Sequence, residues 1–190
     1  MTTRFILTVV ALLSSAFANA QDVSPTLSPH EAHKGTYFVG GLTSLWYDTN
    51  TKATSFTIEP EAGYLFGENW GLGIRLVYEY EGAEHLHTIG ASPFVRYYYY
   101  RKLPFNFYLD AGFGVSEVLT SGERGRYGFE AGIRPGACVD LTEGICLCLH
   151  FGFIGYRKGF ALGEEEGLGH SGIGFLIAPE DLRIGLELEF

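Results

Sequence analysis

Three cysteines stand close together late in the chain, Cys138, Cys146 and Cys148, with His150 just beyond them. By type they are a metal-ligand set, and an extended backbone would turn all four side chains to one face. Structural zinc sites, however, usually present cysteines on turns, in pairs spaced roughly two to four residues apart, and Cys146-x-Cys148 lies inside a strand-like run. No metal and no other cofactor is therefore expected. The cysteines are read either as one disulfide, Cys138 with Cys146, formed in an oxidising compartment, or as small inward-facing packing residues. The remaining histidines say less. His85 and His87 have a chelating spacing but sit in a polar loop, and His30 and His33 sit in a polar leader, where imidazoles are ordinarily solvated. His170-Ser171, near Glu164, Glu165 and Glu166, sets a base beside a nucleophile. Adjacent strand residues point to opposite faces, so the pair has the wrong spacing to pass a proton.

A larger set of charged groups is spread along the chain. Arg75, Arg96, Arg134 and Arg183 fall on four different segments, and Glu59, Glu61, Glu79, Asp110, Glu130, Glu187 and Glu189 are available as partners. Each lies on the less apolar face of its segment. Guanidinium forks pair bidentately with carboxylates, and pairing is the usual way ions are buried. The sharper reading, two carboxylates as general acid and base in a pocket, is weighed against that network and set below it.

What must position these groups is a set of strands. After Gly35 almost nothing has helical period. Apolar and polar residues alternate at period two, broken by short Gly, Asn, Asp and Glu clusters, which is the pattern of successive antiparallel strands. In Trp70 to Glu81, Leu72, Ile74, Leu76, Tyr78 and Tyr80 share one face, opposed by Gly71, Gly73, Arg75, Val77 and Glu79. Eight such segments are expected, near 35–48, 53–67, 70–81, 87–101, 104–118, 125–139, 144–157 and 172–190. The last holds Pro179 and is too long for one span, so Ile173 to Ile177 is read as an extension above Leu182 to Phe190. The connections alternate between tight turns and longer polar loops, as in a membrane barrel. The expected fold is all-β: an eight-stranded antiparallel up-and-down transmembrane β-barrel with short periplasmic turns and longer extracellular loops.

Composition agrees. The 190 residues include 26 glycines and are 15% aromatic, and only 18% are charged, yet the net charge is −9. Such an acidic chain lacks the basic face of a nucleic-acid binder, and its branched and aromatic residues run too evenly for disorder. Four lysines, Lys34, Lys52, Lys102 and Lys158, all in the leader, in loops or at strand ends, are too few for a water-facing surface. Apolar rings collect near strand ends: Tyr64, Phe66, Trp70, Tyr97, Tyr99, Phe105 and Phe190 toward the short turns, Tyr47, Tyr78, Tyr80 and Tyr127 toward the long loops. Two such belts suit the two water–lipid interfaces. An eight-stranded barrel is just wide enough for side chains to fill, which argues against a wide pore, while inward glycines leave a narrow conduit or cavity open. A mean hydropathy of only +0.09 follows because two opposite faces cancel.

The first twenty residues are set apart. Arg4, the apolar run Phe5 to Leu13 and Ala18-Asn19-Ala20 form a secretory signal, with cleavage expected before Gln21. Residues 21–34 read as a flexible periplasmic leader and 35–190 as the barrel domain. Removing Arg4 leaves 12 basic against 22 acidic side chains, a net charge of −10.

The ending Leu182-Arg183-Ile184-Gly185-Leu186-Glu187-Leu188-Glu189-Phe190 resembles the terminal strand that outer-membrane proteins present to the barrel-assembly machinery. Pro93-Phe94-Val95-Arg96-Tyr97-Tyr98, Tyr64-Leu65-Phe66-Gly67 and the Gln21-Asp22 start are similar to the small outer-membrane β-barrel family common in Bacteroidota, with an OmpA/OmpX-like architecture. The resemblance covers residues 35–190. It implies location in the cell outer membrane, Phe190, Leu188 and Leu186 as the barrel-assembly signal, and outer-membrane lipids, lipopolysaccharide and the assembly machinery as partners of a monomer. None of these motifs specifies an activity, and the first expectation is a non-enzymatic role in envelope structure, surface interaction or limited, porin-like small-solute passage. A lipid A-modifying enzyme and a soluble periplasmic ligand-binding barrel are the competing expectations.

Overall fold

The computed structural model describes residues 35–50, 52–83, 85–119, 126–142, 144–162, 171–177 and 183–190, together with all their side chains except that of Trp46. The expected signal and leader, Glu164 to Glu166, His170 and Leu182 lie outside the described residues. Ten strand segments are present: β1 (Thr36–Asp48), β2 (Ala53–Leu65), β3 (Trp70–Glu81), β4 (Leu86–Lys102), β5 (Phe105–Leu119), β6 (Arg126–Thr142), β7 (Ile145–His150), β8 (Phe153–Lys158), β9 (Gly172–Leu176) and β10 (Arg183–Glu189). All pair antiparallel with their neighbours, β1 through β6 in sequence, and β10 joins β7 to β1 and closes the ring. The architecture is an eight-staved up-and-down barrel, because β7 with β8, and β9 with β10, are the two halves of single staves.

Both halves run in one direction, so the expected stave parity is kept. β7 and β8 pair in turn with β6, β10 lies antiparallel to β7, and β9 lies antiparallel to β8. β9 is thus sheet-paired, as is the final half-stave β10 below it. Among the described residues, β1 beyond Gly41 pairs with β2, and β9 pairs with β8.

The seventh stave corrects one expectation. A single run over 144–157 would put Phe153 on the outer face with Leu147 and Leu149, but Phe153 is 1% exposed and faces the lumen. The cause is the break at Phe151-Gly152. Gly152 takes φ +99°, and a Cβ there would run into the Leu176 carbonyl oxygen. The kink shifts the alternation by one residue, so Phe153, Gly155 and Arg157 point inward while Ile154 and Tyr156 point outward. Gly152→Ala is expected to destabilise the barrel by about 1–3 kcal/mol, since a side chain at positive φ is strained even before the clash is counted. Urea unfolding in micelles measures it.

The outer wall is apolar almost throughout. On β3 alone, Leu72, Ile74 and Leu76 are exposed, and the same holds for Ile58, Ile89, Phe113, Val115, Phe129, Ile133, Ile154, Ile184 and Leu186 on the other staves. Rings gather at the short-turn rim, where Trp70 packs at a tilt against Tyr97 with centroids 4.5 Å apart and Tyr37 meets Tyr64 at 4.8 Å and Phe190 at 6.4 Å.

The inner wall pairs large residues with none. Phe38 stands opposite Gly63, Phe94 opposite Gly73 and Tyr108 opposite Gly136. In each pair the ring lies over the glycine's missing side chain. These glycines are seats for interior rings, and Gly71, Gly112, Gly114 and Gly128 are closed off by Leu65, the Pro93 carbonyl, Ser92 with Glu130, and the Gly159 carbonyl, so the inward glycines do not leave a row of open space. Near the long-loop end, Phe160 and Leu162 fold back into the lumen, with Ala161 N–H donating to Ser116 Oγ at 3.2 Å.

Candidate functional site

Arg96 is the centre of the interior, 0% exposed. β4 places it directly across the ladder from Asp110 on β5, and Nε and Nη2 donate to the two oxygens of that carboxylate at 2.8 and 3.0 Å. The rest of the fork crosses the lumen. Nη2 reaches Glu61 Oε1 on β2 at 2.6 Å, and Nη1 reaches Glu187 Oε2 on β10 at 2.8 Å. Three rings enclose the guanidinium: its Cζ lies 4.1 Å from the Tyr108 centroid, 4.8 Å from Phe38 and 5.2 Å from Phe94. Cation–π attraction strengthens when the cation is desolvated, so the rings hold the charge as well as filling space.

Arg75 extends the set. It faces Glu61 across the β2–β3 ladder, donating from Nη2 at 2.5 Å and from Nε at 3.0 Å, and its Nε lies 3.2 Å from Glu59. Arg183 on β10 closes on Glu59 from the far side, with Nη2 to Oε2 at 2.5 Å. Strands β2, β3, β4, β5 and β10 are thereby tied through one ionic cluster. A second, smaller cluster lies on β6 and β8, where Glu130 accepts from Arg134 at 2.7 Å and from Arg157 at 3.0 Å. Of the other two expected carboxylates, Glu79 stands opposite Thr57 and Thr88, and Glu189 opposite Phe38.

Three of the buried carboxylates are chemically saturated. Carboxylates that must take up and release protons need an open face toward a substrate, and Glu61, Asp110 and Glu130 spend both oxygens on guanidinium groups. The histidines expected to be solvated are held by separate tyrosines, His85 Nδ1 by Tyr80 at 3.1 Å and His87 Nδ1 by Tyr78 at 2.8 Å, which does not make a chelate. Ser171 is exposed, and its Oγ accepts from Gly159 N–H at 2.8 Å. His150 shares a hydrogen bond with Tyr108 at 3.2 Å. Tyr108→Phe is expected to cost about 1 kcal/mol, the usual net value of one intramolecular hydrogen bond, read as a shifted urea midpoint with the ring packing intact.

The cysteines pair differently from expectation. Cys146 lies opposite Asp140 and donates to its Oδ1 at 3.2 Å, while Cys138 lies opposite Cys148, with the two sulfurs 2.7 Å apart. Strand register excludes Cys146 as the partner of Cys138, because it stands two residues along from Cys148. All three are free thiols. Arg157, Phe153 and the ring cage around Arg96 were not anticipated. Each left a signal: Ile154 and Tyr156 carry apolar character on the opposite phase to Leu147 and Leu149, and each caging ring pairs with a glycine.

A closed ring of eight antiparallel staves with an apolar outside and an ionic inside is the fold of the small outer-membrane β-barrels. The N-terminal β-barrel domain of Pseudomonas aeruginosa OprF is similar, with a TM-score of 0.55 at 13% identity over 83% of this chain and 98% of that one. The outer membrane protein OprG from Pseudomonas aeruginosa gives a TM-score of 0.47 at 13% identity, covering 83% and 97% of the two chains. Ail, the attachment invasion locus protein of Yersinia pestis, gives 0.42 at 14%, covering 83% and 99%. At these identities the likeness concerns the fold alone. No protein-family model matches the chain, and no curated protein matches it.

Proposed function

We propose that the chain is an integral protein of the outer membrane, a monomeric barrel whose role is structural or surface-presenting, neither enzymatic nor conducting. The observation that carries this reading is the inversion of polarity: aliphatic side chains stand exposed around the wall while arginines and carboxylates are buried at the centre. A water-soluble barrel would reverse that arrangement. The wall would contact lipid, with lipopolysaccharide in the outer leaflet. Leu186, Leu188 and Phe190 would serve as the assembly signal, and residues 1–20 as an export signal removed before Gln21. A Bacteroidota-type family is the narrower reading, and it rests on the sequence motifs.

Against solute passage stand the ring-lined ionic cluster, Phe153, Phe160 and Leu162, which occupy the lumen from its centre toward the long-loop end. Against lipid A chemistry stands the pairing of both oxygens of Glu61, Asp110 and Glu130 with arginine. Cell fractionation tests the location: recovery with outer membranes, beginning at Gln21 by mass spectrometry, is expected, and recovery in the soluble periplasm would refute it. Planar-bilayer recording tests the closed lumen. No discrete conductance steps are expected, and regular steps would revive the conduit.

A further inference from the structure

Beside the Arg96 cage, three groups from three neighbouring strands converge. Cys138 on β6, Cys148 on β7 and Glu187 on β10 bring two sulfurs and one carboxylate oxygen within 4.8 Å of one another, and all three residues are buried. The two oxygens of Glu187 are not equivalent. Oε2 accepts from Arg96, while Oε1 is buried without a hydrogen-bond partner among the described residues. A buried carboxylate oxygen left without a donor is costly. Within the ionic cluster, Glu59, Glu61, Asp110 and Glu187 share three guanidinium groups, Arg75, Arg96 and Arg183, while Arg101, whose Nε and Nη2 are also buried without a hydrogen-bond partner among the described residues, is turned over the Tyr98 ring. A cavity of about 20 Å³ adjoins Cys148, Glu187 and His150, which is room for about one water-sized occupant.

We propose that Cys138, Cys148 and Glu187 form a binding site for a thiophilic divalent cation of the Zn²⁺ class. Two thiolates, one carboxylate and a water from the cavity make a four-coordinate set of the kind such ions take, and sulfur donors disfavour Mg²⁺ and Ca²⁺. The charge balances: the ion brings two positive charges and displaces the two thiol protons, which leave to solvent, so the interior gains no net charge. Two zinc–sulfur bonds of about 2.3 Å at a tetrahedral angle hold the sulfurs about 3.8 Å apart. Binding therefore spreads the present 2.7 Å pair by side-chain rotation. A disulfide would account for the cysteines but would leave Glu187 Oε1 unanswered. Cys146 takes no part, since its thiol is turned to Asp140. The Cys146-x-Cys148 spacing pointed away from a metal because the ligands are assembled across strands.

The test uses the full-length chain folded in detergent micelles under reducing conditions, titrated with Co²⁺ and then with Zn²⁺ against a chromogenic chelator. One Co²⁺ per chain is expected, with thiolate-to-cobalt charge transfer and the visible bands of a tetrahedral site, displaced by Zn²⁺. Cys138→Ser and Cys148→Ser should each abolish the charge-transfer band, and Cys146→Ser should keep it. Glu187→Gln should weaken binding by more than the about 10–100-fold typical of losing an outer-shell partner. Because Glu187 also binds Arg96, alkylation of the unsubstituted chain gives an independent reading: Zn²⁺ should shield Cys138 and Cys148 but not Cys146. A featureless Co²⁺ spectrum from a folded, reduced barrel would overturn the proposal. So would a Cys138–Cys148 disulfide that forms as readily in the Zn²⁺-saturated chain as in the metal-free one.

Discussion

Replacing Arg96 with leucine is expected to destabilise the barrel by about 3–5 kcal/mol, the cost of leaving buried charge without its partner. The size follows from what one guanidinium does: it binds Asp110, Glu61 and Glu187 together and fills the cage of Phe38, Phe94 and Tyr108. Leucine keeps some of the packing but leaves Glu61 and Asp110 to share Arg75 and takes from Glu187 the guanidinium that pairs it, all in a site of low dielectric. Lysine should rescue only in part, because a single ammonium cannot make the bidentate contact with Asp110 and the cross-lumen contacts at once. Urea midpoints in micelles separate these outcomes. A leucine variant within about 0.5 kcal/mol of the parent, the range of an ordinary surface substitution, would show that the cluster is not the barrel's internal tie.

Ile74→Arg is the second large effect, and it acts from the opposite face. Ile74 is 44% exposed, midway along β3 between Trp70 at the short-turn rim and Tyr78 toward the long loops. In a water-soluble barrel a half-exposed isoleucine tolerates arginine to within about 0.5 kcal/mol. In a bilayer the same change places a guanidinium near the midplane, where the expected cost is about 2–4 kcal/mol, falling to about 0–1 near an interface. Tyr80→Arg, near the long-loop end of the same strand, should therefore cost much less than Ile74→Arg. Measured in lipid vesicles, a depth-dependent difference supports a lipid-facing wall, and equal small costs at both positions would contradict it.

Strand number, direction and the sorting of faces were legible because period-two alternation is a local property, and most staves keep it without interruption from turn to turn. Trp70 to Glu81 is read directly as β3, with the same bounds. Which charges would meet was less legible. Arg75 with Glu61 and Arg96 with Asp110 are neighbours across hairpins, so their contacts follow from short-range register. Arg96 with Glu187 and Arg183 with Glu59 are separated by 91 and 124 residues and meet only because the ring closes. The phase slip at Gly152 hid Phe153 and Arg157, since one positive-φ glycine reverses the facing of every residue beyond it. The thiol pair was misassigned for a similar reason. Cys138 finds Cys148 through the β6–β7 register, and nothing in the Cys146-x-Cys148 spacing reports that register.

A barrel whose apolar wall faces lipid and whose ionic cluster faces inward folds only where lipid or detergent covers that wall. Refolding the chain from urea into lipid vesicles, with electrophoresis of unheated and boiled samples, addresses it directly. A compact, faster-migrating band in the unheated vesicle sample, lost on boiling and never formed in lipid-free buffer, is the predicted result. A chain that stays soluble and monomeric without lipid or detergent, with the same mobility before and after boiling, would contradict it.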